Sequence, residues 1–298
     1  MSKHLMSKTK SDNLVVNDNM IHSYKEKLEK LDVTDTGLLY SDSNSGNTSS
    51  LEHLFMGGEK PLHTDSQFEN PDEGLEKITL DRFKEIDKLS NEHNIVQLTS
   101  FGATGIVICD FLHKTRLINK IPTIFIDTLF HFQNTYQLVE QIKEMYPEMR
   151  LEITKPLDCN NENDFNKKYG NKLWEVKPSK YGYYTKIEPR DRMMKKYQSI
   201  YYINGRRRSQ GFERSNLDFI QYSDEYVRIQ PLYDWTEENV WDYIKKYNLH
   251  YNTLHDEGYR SIGDYHSTFQ TLGENERDGR KWGEENQTEC GLHIKVIS

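Results

Sequence analysis

The chain has 298 residues, with 39 Lys and Arg against 47 Asp and Glu, a formal net charge of -8, and 12% aromatic residues. That length buries a full core in one domain with an extension or in two small domains, and the acidic balance argues against a general nucleic-acid binder. No apolar run approaches the ~20 residues of a membrane helix, the start Met1-Ser2-Lys3-His4-Leu5-Met6 lacks the apolar segment of a secretory signal, and Cys109, Cys159 and Cys290 are too few and too widely spaced for a disulfide framework or a metal cluster, so a cytoplasmic protein without a metal is expected.

Residues 1–75 read as an N-terminal extension. Ile21, Tyr24, Leu28 and Leu31 share one helical face, whereas residues 41–50 are polar low complexity and are expected to be disordered. Leu80, Phe83, Ile86 and Leu89 mark an amphipathic helix, and Ile95 to Leu98 a buried strand. Ser100-Phe101-Gly102-Ala103-Thr104-Gly105 then leads into an apolar helix over 106–112. A small-residue loop at a helix N-terminus gathers unpaired N–H groups and the positive end of the helix dipole, which makes an anion cradle. Its glycines are expected to supply positive φ or close approach to a ligand.

Strands are expected over 123–126, 151–154 and 200–203, with a helix over 135–145. Strands alternating with helices predict an α/β fold: an open, mainly parallel twisted sheet with helices on both faces and ligands beyond the strands' carboxyl ends. There Ser100 to Gly105, Asp127-Thr128-Leu129 and Arg206-Arg207-Arg208 would gather. An antiparallel pair (219–222 with 227–229) precedes a helix capped by Thr236. The main domain is expected over 76–270 and a mobile catalytic tail over 271–298.

Between Lys186 and Arg214 nine basic residues face three acidic ones. Arginines at a strand's carboxyl end suit bidentate grip of phosphate, so a multiply anionic ligand is expected. Cys290 lies in the polar run Thr288-Glu289-Cys290-Gly291-Leu292-His293. A thiol becomes a nucleophile when nearby cations lower its pKa, and Arg277, Arg280 and His293 are the candidates. Cys109 belongs in an apolar helix, and Cys159 falls in a loop with no assigned role.

Taken together, Thr99 to Gly105, Phe125-Ile126-Asp127-Thr128, Lys186-Ile187-Glu188-Pro189, Gly205-Arg206-Arg207-Arg208-Ser209-Gln210, Gly258 to Asp264, Glu276-Arg277-Asp278-Gly279-Arg280 and Glu289-Cys290-Gly291-Leu292-His293 closely resemble the phosphoadenylyl-sulfate (PAPS) reductases of fungal and enterobacterial type. The resemblance covers about residues 80–293 and implies an adenine-nucleotide alpha-hydrolase-like fold with a modified PP-loop. It implies substrate contacts from Ser100, Gly102, Ala103, Thr104, Gly105, Asp127, Thr128, Leu129, Lys186, Arg206, Arg207, Arg208, Gln210, Arg277, Arg280 and His293. It further implies that Cys290 attacks the sulfate sulfur and that thioredoxin or glutaredoxin resolves the S-sulfocysteine, in a homodimer of assimilatory sulfate reduction that needs no cofactor.

Two departures from relatives matter. Thr104 stands where ATP-splitting members carry Asp, and two cysteines besides Cys290 cannot supply the ligands of an iron–sulfur cluster. An ATP-dependent adenylyl or sulfur transferase, or a non-catalytic nucleotide-binding module, would have no use for a thiol in a polar tail.

Overall fold

The computed structural model describes residues 71–280 other than Asp224 and Glu274. The chain divides into a body that includes residues 76–280 and a unit of residues 17–75, which lies outside the described residues except for the start of the first helix. Helix α1 (Pro71–Glu92) leads into strand β1 (Ile95–Thr99), which passes through the Ser100 loop to α2 (Ala103–Lys114). Then come β2 (Thr123–Ile126), α3 (Gln133–Met145) and β3 (Leu151–Thr154). The next stretch is all helical: α4 (Glu162–Tyr169), α5 (Leu173–Val176), α6 (Pro178–Gly182), a π turn (Tyr183–Ile187) and α7 (Glu188–Lys196). Strands β4 (Tyr201–Ile203), β5 (Ile220–Tyr222) and β6 (Val227–Ile229) precede α8 (Glu237–Lys246).

The strands form one six-stranded sheet in the order β3-β2-β1-β4-β6-β5, parallel except for the β5–β6 pair. This is the expected open sheet, and β1 lies at its centre, with Ile95 beside Tyr201 and Thr99 beside Phe125. Side chains alternate across a strand. Val96 and Leu98 therefore point one way, into a cluster with Ile124, Ile126 and the α7 residues Met193 and Met194. Gln97 points the other way, toward α2. Its amide is fully buried, donates to the Gly105 carbonyl (3.3 Å) and accepts from Thr123 Oγ1 (3.0 Å), so a polar residue in the central strand is satisfied and fixes where α2 begins. Helices thus cover both faces. On the α2 side, Phe111 stacks on Tyr243 of α8 at 5.0 Å and meets the edge of buried Trp235 at 5.9 Å.

The cap of α8 follows the sequence reading. Thr236 Oγ1 accepts from Asn239 N at 3.1 Å, and the Asn239 side chain accepts from Thr236 N at 2.9 Å. Cys109 is fully buried beside Gln97, and burial pushes its thiol up to about 12. Cys159 is also buried, with a thiol raised by the same desolvation. No helix among the described residues is long and apolar enough to cross a membrane.

Candidate active site

The loop between β1 and α2 opens into a cleft of about 280 Å³ at the carboxyl ends of the parallel strands. The positive φ falls on Phe101 (52°), not on a loop glycine, and Gly102 caps α2 at φ -63° with no side-chain bond to the first-turn amides. Those amides therefore face the cleft without a protein cap, and no acidic residue occupies the first turn. The glycines serve close packing instead. A Cβ on Gly105 would lie 2.5 Å from Thr99 Oγ1, and one on Gly205 would lie 3.1 Å from Thr104 Cβ, so the ends of β1 and β4 can close on the loop only without those side chains.

Opposite the loop, the π turn presents Lys186. Its Nζ bonds Asp264 Oδ2 at 2.8 Å, and Asp264 also accepts from Thr128 Oγ1 (2.6 Å) and Tyr181 Oη (3.1 Å). Asp264 is fully buried. Burial alone would favour the neutral acid, but the charges of Lys186 and His131 and the bonds from Lys186 and Thr128 outweigh it, holding the carboxyl well below the usual range. Beside it, His266 stacks on Trp174 at 4.2 Å and meets Tyr181 Oη at 2.9 Å. Burial, with the Lys186 and Arg280 charges, pushes His266 down to about 4 despite Asp264.

Arg280 reaches the cleft because the segment 258–264 makes room for it. Its guanidinium lies where a Gly263 Cβ would be, 2.1 Å from Nη2, and Nη1 bonds Ser261 Oγ at 3.4 Å. An antiparallel bridge between Thr268 and Arg280, with Phe269 N bonded to the Gly279 carbonyl at 2.8 Å, sets the backbone. Gly279 sits at φ 82° against the Phe269 carbonyl, where a side chain would collide.

Of the residues expected to bind substrate, the cleft wall brings together Ser100, Gly102, Ala103, Thr104, Gly105, Thr128, Lys186, Arg206, Arg207, Gln210, Arg277 and Arg280. Three lie elsewhere. Asp127 is buried behind the wall, accepting from Leu129 N (2.9 Å) and Tyr136 Oη (2.8 Å) to shape the turn in which Leu129 takes φ 73°. Leu129 packs with Phe130 and Phe165. Arg208 turns away to the Leu217 carbonyl (2.6 Å) and Asp218 (3.0 Å) and lies over the Tyr233 ring. Cys290 and His293 lie outside the described residues.

The wall also includes residues that the sequence reading did not assign: Arg190, Arg214, Arg260, Asn204, His131, Asp264 and Glu276. Asp264 and Glu276 were within reach, because each sits inside a motif already singled out. Eight lysines and arginines line the cleft against the carboxylates Glu237, Asp264 and Glu276, which makes it a strongly electropositive pocket in an acidic protein. Among the described residues, no group of His, Cys, Asp and Glu is placed to hold a metal ion.

A parallel sheet that turns from its central strand through a close-packed loop onto an open helix N-terminus, with arginines and a lysine around it, defines an α/β protein of the nucleotide-binding class. The phosphoadenosine phosphosulfate reductase domain matches residues 94–270. Over 67% of its length the chain is 40% identical to the phosphoadenosine phosphosulfate reductase of Emericella nidulans and 43% identical to that of Saccharomyces cerevisiae, covering 66% and 79% of those proteins. It is also 37% identical to the adenosine 5'-phosphosulfate reductase of Staphylococcus haemolyticus, again over 67% of the chain and covering 81% of that protein. The crystal structure of the Candida auris PAPS reductase in a phosphate complex superposes with a TM-score of 0.58 at 35% identity, covering 69% of this chain and 99% of that one. The FMN adenylyltransferase of Candida glabrata shares the fold alone, at 16% identity and a TM-score of 0.50 over 70% of this chain and 68% of its own. The chain belongs to the phosphoadenosine phosphosulfate reductase family and is an oxidoreductase of that kind.

Proposed function

We propose that this protein reduces 3'-phosphoadenylyl sulfate to sulfite and adenosine 3',5'-bisphosphate in the cytoplasm. The observation that carries the reading is the meeting of the open α2 N-terminus, Lys186 and the Arg277–Arg280 segment in one electropositive cleft. Those groups match a ligand with a phosphosulfate and a separate phosphate. Ser100, the Gly102 to Gly105 backbone and Thr128 would line the nucleotide. Lys186, Arg277 and Arg280 would hold the phosphosulfate, and Arg206 and Gln210, which line the same cleft, would meet the second phosphate.

The chemistry falls to Cys290, the cysteine of the Glu289-Cys290-Gly291-Leu292-His293 run, because the other two are buried with raised thiols. Its thiolate attacks the sulfate sulfur, the bond from sulfur to the bridging oxygen breaks, and the bisphosphate leaves with that electron pair. The cations around the bridging oxygen stabilise the leaving charge. A dithiol then attacks the Cys290 sulfur and expels sulfite, and its second thiol frees Cys290, so the two electrons come from the dithiol. Thioredoxin or glutaredoxin supplies it. No resident metal or cluster takes part, and the enzyme works as a homodimer in which Cys290 meets first the substrate and then the reductant.

An ATP-splitting reading is disfavoured by a specific contact. Thr104, where such relatives carry a carboxylate, accepts from Arg207 Nε at 2.9 Å, so the position is committed to an arginine and not to a cation-binding acid. Adenylyl sulfate remains the substrate to compare. At roughly 1.5 to 3 kcal/mol per charged hydrogen bond, removing the 3'-phosphate should lower kcat/KM by on the order of ten- to a hundredfold. Sulfite release from both nucleotides with reduced thioredoxin tests this; equal turnover, or release only with ATP present, contradicts it.

A further inference from the structure

Arg207 lines the cleft, yet all three of its guanidinium nitrogens are engaged by the protein. Nε donates to Thr104 Oγ1 at 2.9 Å, Nη1 to Ser209 Oγ at 2.7 Å and to Glu276 Oε1 at 3.0 Å, and Nη2 to Glu276 Oε2. Ser209 reinforces the pair by donating to Glu276 Oε1 at 2.8 Å. The two charged side chains are only 4% and 10% exposed, so salt and water screen their bidentate contact little.

What the pair joins gives it a role. Thr104 stands in the first turn of α2, inside the anion loop. Glu276 immediately precedes Arg277, whose carbonyl accepts from Arg280 N at 3.3 Å. A single guanidinium therefore bridges the loop that would cradle the nucleotide and the segment that brings two further cations to it. Its neighbours in the same arginine run do otherwise: Arg208 leaves the cleft, and Arg206 reaches Gln221 at 3.3 Å.

We propose that Arg207 and Glu276 are positioning residues that clamp the Arg277–Arg280 segment onto the anion loop, and that Arg207 does not itself grip the nucleotide. The inference rests on the reading above that Arg277 and Arg280 hold the phosphosulfate. A ligand-gripping Arg207 would have to break a buried bidentate pair first, leaving Glu276 as an uncompensated carboxylate against an anionic substrate.

A double-mutant cycle separates the roles. Kinetics with 3'-phosphoadenylyl sulfate and calorimetry with adenosine 3',5'-bisphosphate are measured for wild type, Arg207→Gln, Glu276→Gln and the double variant. Arg277→Ala is measured in the wild-type and Glu276→Gln backgrounds, with thermal unfolding giving the folded fraction of each. Positioning predicts about a tenfold or larger loss of kcat/KM in each single variant, and a double variant within about threefold of the worse single. It also predicts that Arg277→Ala costs at least about threefold less in the Glu276→Gln background, where Arg277 is already misplaced. Losses that multiply, a Glu276→Gln variant with unchanged kcat/KM, or one that binds the bisphosphate more tightly because Arg207 has been released, overturn the proposal. Should Glu276→Gln not fold, Ser209→Ala, which removes one bond to the same carboxylate, should lower kcat/KM about two- to fivefold, and no change there overturns it equally. If wild type turns over no sulfonucleotide, the functional reading fails, and the cycle is still read on bisphosphate binding.

Discussion

Lys186 Nζ lies 2.8 Å from Asp264 Oδ2, a contact across 78 residues that seats the ammonium of a π turn on a fully buried carboxylate. Asp264, buried at the cleft wall, fixes where the lysine charge stands, and Thr128 and Tyr181 hold it in place. Asp264→Asn keeps the shape and removes the charge. Losing one member of a buried pair should cost about 3 kcal/mol of stability. With Lys186 no longer held, KM for the sulfonucleotide should rise by on the order of tenfold. Denaturant unfolding and steady-state kinetics check both; an unchanged KM would show that the lysine's position does not depend on Asp264.

Gly263 should show the reverse pattern, activity lost with stability kept. A methyl group there would meet the end of the Arg280 side chain, 2.1 Å from Nη2, and that end can swing aside. Gly263→Ala should therefore stay within about 0.5 kcal/mol of wild type in stability. Its kcat/KM should fall by on the order of tenfold, because the guanidinium is displaced from the cleft. Full activity in this variant would separate Arg280 from substrate handling.

The buried groups also fix a pH dependence. His266 is pushed down to about 4, so between roughly pH 6.5 and 4 the unfolded chain binds a proton that the folded chain does not, and stability falls as pH falls through that window. His255, lowered by burial, contributes with the same sign. Asp264 acts lower: its depressed carboxyl contributes stability above about pH 4, and that is lost only in stronger acid. Denaturation midpoints should drop from pH 7 to pH 5, and His266→Gln should flatten part of the drop. A His266→Gln profile parallel to wild type would contradict the assignment.

Much of this architecture was legible in the sequence because its signals are local. The strands of the parallel sheet are short apolar runs, and Thr236 announces α8 through its own side chain. The helical stretch over 162–196 was not legible. It consists of short, charged pieces broken by turns, and its buried residues, Phe165, Leu173, Tyr181, Ile187, Met193 and Met194 among them, fall on several of those pieces, so no single periodic stripe marks it. The site divides in the same way. The anion loop and the arginines announce themselves by residue type, whereas the fates of adjacent Arg207 and Arg208 depend on which partners the fold brings to them, distant Glu276 for one and nearby Leu217 and Asp218 for the other. Asp127 shows the same dependence: its carboxylate, at a strand's end where a ligand contact is expected, accepts from Leu129 N in its own turn.

In the reaction we propose, Cys290 carries the sulfonate between substrate and reductant, while Cys109 and Cys159, buried and with raised thiols, do not. The most direct measurement is peptide mass spectrometry of the enzyme mixed with 3'-phosphoadenylyl sulfate in the absence of any dithiol, beside a Cys290→Ser variant treated identically. One SO₃ on the Cys290 peptide, released as sulfite when reduced thioredoxin is added, with no sulfite from the Ser variant despite near-normal nucleotide binding, is the predicted result. An adduct on the Cys109 or Cys159 peptide, or near-normal sulfite formation by the Ser variant, would contradict it.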